Sequence, residues 1–158
     1  MCKNSVKWLY RLESPYSWDS GMPIESDRFF FDRKGRLRLV IEESGRITIT
    51  AGYSWNGCSP KFCLFDILLG TPDGVVHAHT GRPKTYYASM IHDALYQFLP
   101  ADLPYAASQA DGIFLRLMEE SEFGPRRLYW LAVRALGWLF RPTIARKRQH
   151  KGTQARYA

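Results

Sequence analysis

A chain of 158 residues with a formal charge of +7 and 15% aromatic residues is long enough to bury one core and too apolar to stay disordered. The positive balance favours an acidic partner, whether nucleic acid, an anionic membrane face or an acidic protein surface, and alone selects none of them. Cys2, Cys58 and Cys63 form no C-x-x-C pair, Met1-Cys-Lys-Asn4 opens no apolar leader, and Arg134 interrupts the most apolar stretch, Leu128 to Phe140, so the expectation is an intracellular, soluble or peripheral chain with reduced thiols.

In chain order, short β-like runs come first: Val6 to Leu12, Arg28 to Asp32, Leu37 to Glu42 and Arg46 to Thr50. Lys34-Gly35 and Ser44-Gly45 stand between the last three runs, where hairpin turns belong. In Arg46-Ile-Thr-Ile-Thr50 the isoleucines share one face, as in a strand buried on one side. Gly52 to Pro60 has the glycines, Asn-Gly pair and proline of a loop, Lys61 to Gly70 is a short apolar segment, and Thr71 to Lys84 is a polar connection with His77 and His79. Helices are predicted from Lys84 to Phe98 with Thr85 as cap, from Tyr105 to Glu120, and from Pro125 to Phe140. The expected fold is α+β, a small N-terminal antiparallel sheet packed on a helical hairpin plus a C-terminal amphipathic helix. It forms one domain over 1–142, β-rich in 5–52, loop in 52–84 and helical in 84–141, with 143–158 a basic tail read as a mobile arm.

The chemistry concentrates on the first helix. At 100° per residue His92 shares a stripe with Ala88, Ser89 and Tyr96, while Asp93 points about a quarter-turn away, near Tyr86 and Gln97. On the second helix Asp111 has Ala107, Phe114, Leu115 and Met118 for neighbours, so its carboxylate faces the core. An unpartnered buried carboxylate costs several kcal/mol, and the preceding helix offers His92 as the partner. An Asp-His bond would fix the imidazole tautomer and leave one nitrogen to take a proton from water, or it would only lock two helices together. For a metal, the carbonyls of Gly52 to Gly57 and the Asn56 side chain are oxygen donors of the kind calcium takes, and an ordinary turn is the alternative. Zinc at Cys58, Cys63, His77 and His79 fits no usual spacing.

Trp55-Asn-Gly-Cys-Ser-Pro60, His92-Asp-Ala-Leu-Tyr96 and Ala110-Asp-Gly-Ile-Phe114, in that order, resemble the small phage and prophage proteins of the domain of unknown function 1353 family. More distantly the set is similar to the phospholipase A2 pattern of glycine-containing calcium loop, His-Asp helix and second aspartate. That resemblance implies His92 as the base, Asp111 orienting it, and Tyr96 supporting Asp111. It implies calcium on Asp93 and on the loop around Tyr53, Trp55, Asn56 and Gly57; the phage-family resemblance implies a location in host cytoplasm or virion. A non-enzymatic virion or accessory protein with a structural His-Asp pair is the alternative. A weaker one is a metal-dependent phosphohydrolase using His77 or His79 with His92, Asp93 and Asp111.

On the third helix Arg127, Arg134 and Arg141 recur every seven residues beside Trp130 and Trp138, with Tyr129, Val133, Leu136 and Phe140 opposite. This stripe suits an anionic phospholipid surface, or a protein interface with other phage proteins where tryptophans pack under arginine stems. The tail lacks aromatic residues interleaved for base stacking, so sequence-specific nucleic-acid binding is not expected.

Overall fold

A computed structural model describes residues 10–57, 61–64, 67–70, 76, 78, 80–135 and 154–157. The strands are β1 (Tyr10–Arg11), β2 (Tyr16–Asp19), β3 (Arg28–Phe31), β4 (Leu37–Ile41), β5 (Arg46–Ile49), β6 (Ser54–Trp55), β7 (Lys61–Leu64) and β8 (Ile67–Gly70). Helices α1 (Tyr86–Phe98) and α2 (Ala107–Glu120) follow, joined through a 3-10 turn at Leu99–Ala101. A third helix, α3, covers 126–135 of the described residues, and β9 (Gln154–Tyr157) ends the chain. The fold is the expected α+β arrangement.

Alternation builds the main sheet, whose order is β2-β5-β4-β3-β9 and whose pairs are all antiparallel. Phe30, Leu39, Ile41, Ile47 and Ile49 are cross-strand neighbours on one face, and each is fully buried. Burying a side chain of this size contributes about 1.5–3 kcal/mol, so this face dominates sheet stability. Both predicted turns are three-residue connections. Asp32 N–H donates to the Arg36 carbonyl and Gly35 N–H to that of Asp32, and Glu42, Arg46 and Gly45 repeat the pattern. Gly45 has φ +86°, and a Cβ there would stand 2.4 Å from the Met22 carbonyl oxygen, so conformation and space both demand glycine.

Three features differ from the sequence reading. β2 was not expected, although Trp18 is buried and its neighbours Ser17 and Asp19 are exposed. Lys61–Leu64 and Ile67–Gly70 are strands, β7 pairing antiparallel with β8. The basic tail, expected as an arm, contributes at its end the strand β9, which extends the sheet along β3. The register pairs Arg28 with Tyr157, a main-chain association that charge-rich composition does not forbid on a sheet edge.

The helices begin slightly later than predicted. Thr85 occupies the N-cap of α1, but its side chain makes no capping bond. At α2 the Gln109 side chain accepts the Ala106 N–H at 2.8 Å, doing at the N-terminus what a capping carboxylate does elsewhere. Phe98 meets Phe30 with ring centroids 5.4 Å apart, which seats α1 on the sheet. On α2, Glu120 accepts the Trp18 indole N–H at 2.8 Å, and Arg116 donates to the Ser20 carbonyl at 2.6 Å while lying over the Trp18 ring. Among the described residues, no helix is long and apolar enough to cross a membrane.

Candidate functional site

The helical hairpin brings three predicted residues together. Asp111 is buried among Ala110, Phe114 and Met118, and its side chain keeps 5% of its surface exposed. One carboxylate oxygen, Oδ1, lies 3.1 Å from His92 Nε2 and accepts the Tyr96 hydroxyl at 2.6 Å. Spacing accounts for the geometry: His92 and Tyr96 are four residues apart, so one helical face presents both donors to a single acceptor. With Nε2 turned to the carboxylate, Nδ1 is the imidazole nitrogen that Asp111 leaves unengaged. The imidazole lies between two rings, with Tyr96 at 4.3 Å and Phe114 at 4.9 Å between centroids. Its orientation is therefore fixed by packing as well as by the carboxylate, and its side chain retains 12% exposure.

The loop before α1 is tied down by its own side chains. Leu12 N–H donates to the Tyr53 carbonyl and Gly52 N–H to the Leu12 carbonyl, both under 3 Å. With Gly52 at φ +79°, this is a bulge with a left-handed glycine, which turns the chain from β5 into β6. Trp55 is fully buried, packs edge-on against Tyr86 and donates its indole N–H to Ser89 at 3.2 Å. Tyr53 is buried too, and its hydroxyl donates to Gln97 at 3.2 Å. Ser89 and Gln97 each lie four residues from Asp93, so the loop docks on both sides of Asp93 along one stripe of α1. The two neighbours thus diverge: His92 meets α2, and Asp93 lies on the loop-facing stripe.

A carboxylate with loop carbonyls would be an oxygen donor set, which suits a hard cation such as calcium better than zinc. The Tyr53 carbonyl already receives the Leu12 N–H, so a calcium shell would draw first on the Asp93 carboxylate and on Trp55, Asn56 and Gly57. Among the described residues no group of three or more His, Cys, Asp or Glu is placed to hold a metal ion. His77, His79, Cys2 and Cys58 lie outside the described residues, and with them the zinc and phosphohydrolase alternatives.

On α3, Arg127 and Arg134 are exposed and Trp130 is half-buried, with the Arg134 guanidinium 5.1 Å from the Trp130 ring centroid. Trp138 and Arg141 lie outside the described residues. Tyr129 and Val133, predicted opposite, join the core. The outward apolar residues are Leu128 and Leu131, 68% and 56% exposed, which the arginine-tryptophan periodicity did not single out. Sequence reasoning also passed over Phe114 as the wall of the His92 ring, and Ser89 and Gln97 as docking points of the loop. The signal for the last two was their four-residue spacing about Asp93.

Comparison of the chain with protein-family models, curated proteins and solved structures finds no significant match.

Proposed function

We propose that the protein is an ester hydrolase of the phospholipase A2 kind, acting on an acyl ester of a phospholipid-like substrate, in a small phage- or prophage-type protein. One observation carries this reading: Asp111 holds His92 by Nε2 and is itself held by Tyr96, so Nδ1 is the nitrogen left to work as a base. In the step this supports, a water gives its proton to Nδ1 as its oxygen bonds to the ester carbonyl carbon. The tetrahedral intermediate then expels the alcohol oxygen, which leaves with the proton from Nδ1. Asp111 stabilises the imidazolium between the two transfers, and Phe114 and Tyr96 keep the ring from turning. Calcium, where bound, would be held by Asp93 with the Trp55, Asn56 and Gly57 oxygens, and supplies a Lewis acid for the ester carbonyl.

The test is fatty-acid release from vesicles of phosphatidylglycerol and phosphatidylcholine, in calcium and in chelator. The reading expects release in calcium only, and its loss in Asp93→Asn. Absence of release from both lipids, or equal release in chelator, refutes it.

A second reading has its own support in the depth of the bond, since Asp111 is 3% exposed overall and is held from the facing helix. There the pair clamps α1 to α2 in a non-enzymatic virion or accessory protein. It expects Asp93→Ala to leave assembly with other phage proteins intact.

A further inference from the structure

Asp32, Arg36, Arg38, Gly52, Tyr53, Ser54 and Gln97 border a cleft of about 200 Å³. Its hydrogen bonding is unbalanced. The carboxylate of Asp32 accepts the N–H groups of Lys34 and Arg36, Nε of Arg36 at 2.8 Å and Nε of Arg38 at 3.1 Å. The Gln97 carbonyl is engaged by the Tyr53 hydroxyl, which turns the amide nitrogen of Gln97 away from Tyr53. The Asp32 carboxylate and the Gln97 carbonyl are thus engaged internally, and the donors without an internal partner are Gln97 Nε2, Arg38 Nη2, Arg36 Nη1 and the Ser54 hydroxyl, which can also accept.

Charge has the same sign. Two guanidiniums face one carboxylate, and a third, Arg11, comes within 3.7 Å of where a Cβ on Gly52 would stand. Arg38 is 8% exposed and pinned by Asp32 through Nε and by the Ala51 carbonyl through Nη1 at 3.2 Å, so its guanidinium is already oriented, with Nη2 remaining. The glycine admits it, since a Cβ at Gly52 would lie 3.2 Å from Arg38 Nη1. A pre-oriented guanidinium with surplus amide and hydroxyl donors matches a tetrahedral oxyanion, whose oxygens accept from several directions.

We propose that this cleft binds a phosphate group, through Arg36, Arg38, Ser54 and Gln97. It does so whether or not His92 turns over an ester. Phosphate chemistry has two sources, a free phosphate or a phosphodiester headgroup, and both present the same oxygens.

Calorimetric titration of the full chain tests it, at constant ionic strength set with sodium chloride, using inorganic phosphate and glycerophosphocholine as probes. The variants are Gln97→Glu, which keeps an acceptor for Tyr53 but sets a carboxylate in the cleft, and Arg36→Gln at a side chain 58% exposed. Arg38 is left in place because it is buried and also holds the Ala51 carbonyl, so its loss would disturb the loop itself. Saturable binding is expected, weakened about tenfold or more in each variant, as for loss of a charge-assisted contact. Tighter binding of phosphate assigns the free anion. Tighter binding of glycerophosphocholine, with Gln97→Glu also reducing retention on phosphatidylglycerol vesicles, assigns the headgroup. No saturable heat from either probe, or equal affinity in the parent chain and both variants, overturns the proposal.

Discussion

Asp111 concentrates two donors on one carboxylate oxygen, so changes to each donor should separate stability from chemistry. Tyr96→Phe removes a hydroxyl bond to a buried carboxylate and is expected to cost about 1.5–3 kcal/mol in urea unfolding. Asp111→Asn keeps the volume but sets an amide before Nε2. An amide nitrogen there favours the opposite imidazole tautomer, so ester hydrolysis should fall far more than stability does. Comparable losses of both would mean that the pair only clamps the helices. The pairing was legible in the sequence, because a carboxylate among Ala107, Phe114, Leu115 and Met118 has to face inward and find a donor. The clasp of Trp55 on Ser89 and of Tyr53 on Gln97 was not, since aromatic residues in a glycine-bearing loop carry no period that says which way they turn.

At the scale of elements, the hairpin turns and the bulge set where the loop meets α1. Gly45→Ala should destabilise by at least ~1–2 kcal/mol from the left-handed backbone alone, with more from overlap with Met22, and thermal unfolding would show it. Trp55→Ala should cost about 3–5 kcal/mol, the range for emptying a buried aromatic site. The turns were readable because Lys34-Gly35 and Ser44-Gly45 interrupt runs of period two. β2 was missed because four residues with a single buried tryptophan make a weak alternation. β7 and β8 were hidden because continuous apolar runs have no period that separates strand from helix. β9 was hidden because strand pairing through the backbone leaves no mark on a polar segment.

At the scale of the whole molecule, Asp32 and Tyr16 are among the groups that tie stability to pH. Burial raises the Asp32 carboxyl, but the Arg36 N–H, the Arg36 and Arg38 guanidiniums and the Lys34 N–H outweigh it and hold it down from 3.8 to about 2. A group depressed in the folded state stabilises above its unfolded value, so this contribution is lost as pH falls from about 4 to 2. Asp32→Asn should flatten the stability curve in that window. Tyr16, stacked on Tyr87 at 4.0 Å, is pushed up to about 12 by burial and then by Tyr87 and Glu120. Its sign is reversed: the unfolded chain ionises first, so stability falls as pH rises from 10 to about 12, and Tyr16→Phe should reduce that loss, part of which remains with Tyr86 and Tyr105, both also raised by burial. Chemical denaturation across the pH range measures both.

In the proposed function His92, oriented by Asp111, is the base of an ester hydrolase. Fatty-acid release from phosphatidylglycerol vesicles in calcium, comparing the parent chain with His92→Gln at matched thermal stability, tests it most directly. Turnover by the parent chain and its loss in the variant are expected; release by His92→Gln at the parent rate, or none from the parent chain, would contradict a base role for His92.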